Sequence, residues 1–136
     1  MIEVNDYVRT KNGEIGIFDR YSSRKENSLY KSPFNCFIKI KNRKTPLQCC
    51  EDYIVKHSKQ LIDLIEVGDI VNKELVIGII DITNDKEEII GRKLITQYRS
   101  AQFTGLDIKH YIYANDIKTI LTKEIYMANC YKVGGE

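Results

Sequence analysis

Apolar and polar residues alternate in short runs along most of this chain, which is typical of β-strands rather than of helices. The clearest case is 37–41, where apolar and basic residues alternate, so that Lys39 and Lys41 share one face while Ile38 and Ile40 lie near the interior. Further strands are predicted at 7–10, 14–18, 53–56, 69–71, 75–81, 94–98, 111–113, 117–121 and 131–133. Helical character is limited to a single turn within 58–65 and a short helix at 123–129, which Thr122 can cap.

Turn-forming residues separate the predicted strands. Asn12-Gly13 is a strong hairpin signal, because both positions tolerate the positive φ that a type I′ turn requires. Asn72-Lys73 takes the corresponding place in the second half, and the charged segment 84–88 forms another turn. The polar segments 21–35 and 99–105 are predicted to be loops.

A seven-residue sequence motif near the N-terminus, the repeated phrase, recurs 63 residues later. Ile-Glu-Val-Asn-Asp-Tyr-Val at 2–8 is matched by Ile-Glu-Val-Gly-Asp-Ile-Val at 65–71. Two weaker matches follow in the same order, pairing 15–17 with 77–79 and 54–56 with 120–122. Matches at nearly constant spacing indicate a duplicated unit.

The start of each copy, an apolar residue before Asn-Asp or Gly-Asp and then a strand, resembles the first strand of SH3-like small barrels. We therefore predict a mainly β fold of two tandem SH3-like barrels, at 1–63 and 64–136, with a short C-terminal helix. The alternative is a single α+β domain in which the likeness of the two phrases is accidental. A unit of this size would bury only about 60% of its unfolded surface. We therefore expect a shared core or a homo-oligomer.

Composition is that of an ordinary globular protein, with 43% hydrophobic and 29% charged residues. The net charge is only +2, although residues 1–64 carry 12 basic against 8 acidic side chains and residues 65–136 carry 9 against 11. The first half is therefore the one expected to face an anion. No apolar run approaches the ~20 residues of a membrane span, and acidic residues occupy the N-terminus. A cytoplasmic protein without a membrane partner is predicted.

Catalytic motifs are not found in this sequence. The two histidines, His57 and His110, lie in no recognisable nucleophile or metal motif, and no phosphate-binding loop pattern occurs. The four cysteines are predicted to be free thiols; the alternatives are a zinc site formed by Cys36, Cys49 or Cys50 with His57, and a Cys–His dyad. We predict a non-enzymatic protein with no cofactor and no metal.

Two groups of residues are candidates for binding. The segment 98–105 offers a base-stacking aromatic, an arginine for phosphate and polar groups for base edges, and neighbouring side chains extend it. The predicted ligand-binding residues are Arg92, Arg99, Gln102, Phe103, His110 and Tyr111. A basic cluster of Lys39, Lys41, Arg43 and Lys44 is the candidate for nucleic-acid binding. For the first group, the competing interpretation is that the Phe103 side chain packs into the second barrel. For the basic cluster, it is that the strand face is exposed to solvent and binds nothing.

The segments 54–58, 61–72 and 120–124 resemble a group of small proteins carried by phages and prophages of low-GC Gram-positive bacteria. In that group a strand like Gly-Asp-Tyr-Val-Arg-Thr also recurs, here as Asn5–Thr10. The resemblance implies an accessory phage protein that acts in the bacterial cytoplasm, a class in which antagonists of host defence are common. It carries over no functional residue.

The function expected from these observations is capture of an anionic nucleotide signal, without turnover, by a phage protein that antagonises host defence. One alternative is an anti-CRISPR-type inhibitor that binds a host defence protein and blocks a nuclease. The other is a weak nucleic-acid-binding module that uses the basic cluster.

Overall fold

The structure is a computed structural model that describes residues 2–22, 35–99 and 107–129. Within these ranges the chain is mainly β, with two five-stranded antiparallel sheets and one short helix. The chain divides into two compact units, Met1–Leu64 and Ile65–Glu136. The mainly β prediction is confirmed, but neither sheet closes into a barrel over the described ranges.

The first unit contains five strands and two 3₁₀ turns. The strands are β1 (Tyr7–Thr10), β2 (Ile15–Tyr21), β3 (Cys36–Lys39), β4 (Leu47–Cys49) and β5 (Ile54–Ser58), and the 3₁₀ turns cover Glu51–Tyr53 and Leu61–Leu64. The sheet order is β4-β3-β2-β1-β5. Four strands therefore form a meander, and the fifth returns to pair with the first.

The second unit repeats this order. Its strands are β6 (Ile70–Val71), β7 (Glu74–Thr83), β8 (Ile89–Arg99), β9 (Asp107–Tyr113) and β10 (Ile120–Leu121), with a 3₁₀ turn at Ala114–Asp116 and the helix α1 at Lys123–Asn129. The order β10-β6-β7-β8-β9 again pairs the fifth strand with the first. Strands β7, β8 and β9 are longer than the sequence predicts, whereas the helix has the predicted bounds. The predicted strand at 131–133 lies outside the described residues.

The repeated phrase forms the same turn in both units. The Asp6 carboxylate accepts a hydrogen bond from the backbone N–H of Glu3 at 3.0 Å, and Asp69 accepts one from Glu66 at 2.8 Å. Asn5 and Gly68 precede these aspartates with φ of 73° and 100°, a region that asparagine and glycine tolerate. The Asn-Asp and Gly-Asp pairs therefore turn the chain into the first strand of each sheet.

The other two sequence matches are not structurally equivalent. Val8 pairs with Gly16, and its counterpart Val71 pairs with Glu74. The structural equivalent of Gly16 is therefore Glu74, and the predicted match with Gly78 is wrong by four residues. The cause is the hairpin turn, which is longer in the first unit. In the pairing of the first strand with the fifth, Val8 lies opposite His57 in the first unit, and Val71 lies opposite Ile120 in the second. The match of 54–56 with 120–122 is therefore wrong by three residues.

The two hairpin turns differ in type. Asn72 and Lys73 both have positive φ, 52° and 67°, as a two-residue type I′ turn requires. At the first hairpin only Gly13 has positive φ, 85°, and its N–H donates to Thr10 O at 2.9 Å. The predicted type I′ turn at Asn12-Gly13 is wrong, because the longer loop is a type I turn followed by a left-handed glycine.

Both units contain buried apolar residues, and several of those of the first unit form a cluster. The cluster is formed by Ile2, Val8, Phe18, Cys36, Ile38 and Cys49. In the second unit, the buried apolar residues on the strands include Val76, Leu94 and Ile112. The predicted alternation along β3 is confirmed, since Ile38 is buried while Lys39 is exposed. Within the described residues, no helix has the length and apolar character needed to cross a lipid bilayer.

Candidate functional site

The structure describes only some of the predicted ligand-binding residues. Gln102 and Phe103 lie outside the described residues, and of Arg99 only the backbone, at the end of β8, lies within them. Arg92, His110 and Tyr111 are described.

His110 and Tyr111 are neighbours on β9 and therefore belong to opposite faces of the sheet. His110 Nδ1 lies 2.5 Å from Glu74 Oε1, on the face where Thr96 is buried. Arg92 shares that face by alternation along β8, and its Nε donates to Asp81 Oδ1 at 3.1 Å. The structure therefore does not bring the three described residues together: Arg92 and His110 lie on one side, paired with carboxylates, and Tyr111 lies on the other.

The Tyr111 side of the sheet also carries residues that are not in the predicted ligand-binding set. Alternation along β9 places Lys109, Tyr111 and Tyr113 on one face, and the strand register extends this face with Lys93, Ile95 and Ile80. We call these six residues the tyrosine face. Tyr111 and Tyr113 have 56% and 46% of their surface exposed. Their rings are therefore accessible to a ligand.

A cation–π contact organises the tyrosine face. Lys93 Nζ lies 4.6 Å from the centre of the Tyr111 ring, and Lys93 also pairs in register with Tyr113. Opposite Ile95 the neighbouring strand has Gly78, whose missing side chain leaves room for the isoleucine to lie across it. The result is a surface of two phenol rings and aliphatic carbons, with the Lys93 ammonium group over one face of the Tyr111 ring.

The charge of this face is positive. Its two charged residues are Lys93 and Lys109, while Glu74 and Asp81 belong to the opposite face of the sheet. Among the side chains that the structure describes, no carboxylate lies on the tyrosine face. Such a surface can stack a planar ring and contact an anion next to it.

The basic cluster of the first unit is also divided. Lys39 and Lys41 line a groove of about 410 Å³ with Tyr7, Ile15, Gly16, Ile17, Ile40 and Leu61. Arg43 and Lys44 are exposed in the turn that follows β3 and do not line this groove. Lys39 Nζ lies 3.5 Å from Asp19 Oδ1, so part of its charge is neutralised.

Cys36, Cys49 and Cys50 are free thiols, and the first two are buried and directly opposite each other on β3 and β4. Burial raises the pKa of Cys36 and of Cys49 to about 11. His57 Nδ1 lies 3.4 Å from Asp6, a residue of the repeated turn. Among the described residues no three His, Cys, Asp or Glu side chains form a group suited to a metal ion.

These thiols should differ sharply in reactivity. At pH 8 a thiol with a pKa of about 11 is ionised in roughly one molecule in a thousand, and the thiolate is the reactive form. In a Cys130→Ser background we expect iodoacetamide to modify the half-buried Cys50 first. Modification of Cys36 and Cys49 should be far slower and should rise about tenfold for each pH unit up to pH 10.

Peptide mass spectrometry of samples quenched over time measures the three rates. Equal rates for Cys49 and Cys50 at pH 8 would contradict the burial that the structure assigns to Cys49.

Two surfaces of the described chain thus offer ligand-binding chemistry, the tyrosine face of the second unit and the groove of the first. Only the tyrosine face presents exposed aromatic rings together with lysines. No family model, curated protein or solved structure matches this chain, so these assignments depend on geometry and chemistry.

Proposed function

We propose that this protein binds an anionic nucleotide ligand through the tyrosine face and does not convert it. The observation that carries the proposal is the position of Lys93 Nζ, 4.6 Å from the ring centre of the exposed Tyr111, with Tyr113 next to it. A nucleotide combines a planar base and a phosphate, and this surface offers a partner for each.

The chemistry of the face favours a nucleotide over a purely apolar ligand. Base–aromatic stacking contributes about 1–3 kcal/mol per base, and it tolerates any base because every base has a π-face. Lysines beside the rings can contact phosphate oxygens, which makes binding dependent on salt. Binding of this kind needs a stacking platform and positioned cations and no general base. The ligand would therefore be held intact.

The fold and the biological setting belong to the same proposal. Each unit would be an SH3-like barrel, which is supported by the shared strand order and by the 3₁₀ turn before the fifth strand of both units. The resemblance to phage and prophage proteins supports a role in antagonising bacterial defence, with the protein acting as a sponge for a nucleotide signal in the host cytoplasm. Association into a homo-oligomer fits a chain built from two such small units.

Binding can be tested with a fluorescein-labelled ten-residue oligothymidylate followed by anisotropy. We expect Tyr111→Ala to weaken binding about 5- to 150-fold, which corresponds to the loss of one stacked base. The matched control is Tyr126→Ala, since Tyr126 on α1 is exposed to a similar degree, 48%, but lies outside the tyrosine face. It should leave the affinity unchanged.

Two results would count against the proposal. One is an equal loss of affinity in the two tyrosine variants, and the other is binding that stays constant between 50 and 200 mM salt, since phosphate contacts must weaken as counterions compete. Ligand recovered after heat denaturation should be intact by chromatography. A cleaved product would instead indicate an enzyme.

A second candidate function is a steric inhibitor of a host defence protein, such as a nuclease. Exposed apolar side chains at the start of β8 favour it, since Ile89 and Ile90 are 63% and 62% exposed. Co-purification with a host nuclease, with an absorbance ratio at 260 and 280 nm that excludes bound nucleotide, would support this function over the first.

A further inference from the structure

The groove of the first unit lies on the side of the repeated sheet that corresponds to the tyrosine face. Tyr7 follows the aspartate of the repeated turn, as Ile70 does in the second unit. Strand pairing places Tyr7, Ile17 and Lys39 in one row across β1, β2 and β3. The corresponding row of the second unit starts at Ile70 and ends at Lys109, on the tyrosine face. The two surfaces therefore lie on the same side of the duplicated sheet, and the row that corresponds to the groove meets the tyrosine face at Lys109.

The groove has the same chemical character as the tyrosine face, in a more enclosed form. Its walls are apolar, from Ile15, Ile17, Ile40 and Leu61, and a tyrosine ring and two lysines complete the lining without any carboxylate. Lys41 has no ion pair among the described residues, whereas Asp19 partly neutralises Lys39. An anion that enters the groove would therefore contact Lys41 without first displacing a partner.

The dimensions of the groove fit one nucleotide. Adjacent strands lie about 4.8 Å apart, so the backbone positions of Tyr7 and Lys39, two strands apart, are separated by about 10 Å. This is comparable to the length of a nucleotide from its base to its phosphate. The volume of about 410 Å³ lies in the range of small-ligand sites and is too small for a folded partner.

We propose that this groove is a second nucleotide-binding site, so that each chain holds two nucleotide units, one per repeat. This inference rests on the proposed function, because it assigns the same class of ligand to the same side of the other sheet. The base lies between Tyr7 and the isoleucine side chains, and the phosphate is neutralised by Lys41 with help from Lys39. The site would be weaker than the tyrosine face, because it has one ring instead of two.

The test is native mass spectrometry with the dinucleotide pTpT, which is too short to occupy more than one site at a time. The wild-type chain should bind two molecules. The Lys39→Gln/Lys41→Gln variant should lose one of them, with at least a tenfold loss of affinity at that site, and Tyr111→Ala/Tyr113→Ala should lose the other. Combining all four substitutions should abolish binding, while circular dichroism confirms that the sheets are retained.

The matched control is Arg43→Gln/Lys44→Gln. It removes the same charge from the same region, but these residues lie outside the groove, so two molecules should still bind. A loss of one molecule in this control would mean that net charge and not the groove is responsible, and would overturn the inference.

The failures of the two proposals are distinguishable. A single bound dinucleotide in the wild type that is lost in Tyr111→Ala/Tyr113→Ala overturns the groove site and leaves the tyrosine face in place. No bound dinucleotide at all overturns both. If dodecanoate bound in the groove and pTpT did not, the groove would be a site for acyl carboxylates. This result would also overturn the inference.

Discussion

The Asp69→Ala substitution is expected to lower the free energy of unfolding of the second unit by about 3 kcal/mol. Asp69 is fully buried, and its two carboxylate oxygens accept hydrogen bonds from one backbone group three residues away and from another 54 residues away. Oδ2 accepts from the N–H of Glu66 at 2.8 Å, and Oδ1 accepts from the N–H of Lys123 at 2.9 Å. Alanine would leave both donors without this acceptor, and each such loss costs about 1–3 kcal/mol.

Urea unfolding followed by circular dichroism measures this loss, and hydrogen exchange assigns it to a unit. The control is Asp85→Ala in the exposed turn at 84–88, which should change stability by no more than about 0.5 kcal/mol. Asp69→Asn should fall between the two, because it keeps one acceptor oxygen. If Asp69→Ala were as stable as Asp85→Ala, the carboxylate could not be holding the turn and the first residue of α1 together.

Gly16→Ala should be nearly as damaging as Asp69→Ala. A Cβ at this position would lie 2.6 Å from both Ile38 Cγ2 and the backbone oxygen of Lys39. The isoleucine can change rotamer, but the carbonyl can move only if the pairing of β2 with β3 shifts. We expect a loss of about 3 kcal/mol, at the upper end of what overpacking usually costs.

Gly91→Ala is the matched substitution and should have the opposite sign. The nearest atom to a Cβ at Gly91 is Ile82 Cδ1 at 4.0 Å, so the methyl group is accommodated. Replacing a strand glycine whose φ is compatible with alanine should stabilise the protein by up to about 1 kcal/mol. The midpoints of thermal unfolding of the two variants test both predictions. Equal midpoints would contradict the close packing of β2 against β3 at Gly16.

The sequence predicts much of this fold because the signals are local. The repeated Asn-Asp and Gly-Asp pairs need only a few neighbouring residues to form their turns, and the alternation along β3 depends on a strand of four residues. The lengths of the hairpin turns are harder to predict from the sequence. Similar Ile-Gly-Ile tripeptides suggested one alignment, but the shorter turn at Asn72-Lys73 sets another, since turn geometry fixes strand register.

The candidate site was harder to predict, because it depends on pairing between strands. Lys93 and Tyr111 are 18 residues apart in sequence and come together only through the register of β8 and β9. Period-two alternation would have identified Lys109, Tyr111 and Tyr113 as one face, and would have separated His110 from Tyr111. The predicted set grouped neighbours in sequence, whereas a strand distributes neighbours to opposite sides.

Asn72 shows how a turn residue can also determine the position of a remote strand. Its side-chain oxygen accepts hydrogen bonds from the N–H groups of Lys118 and Thr119, at 2.7 and 3.0 Å, and its amide donates to Asp116 O at 2.7 Å. Strand β10 has only two residues, too few to select its own alignment. These three contacts of Asn72 require the β6–β7 turn and the segment 116–119 to be in place together. We therefore expect β10 to pair with β6 only after the β6–β7 hairpin has formed.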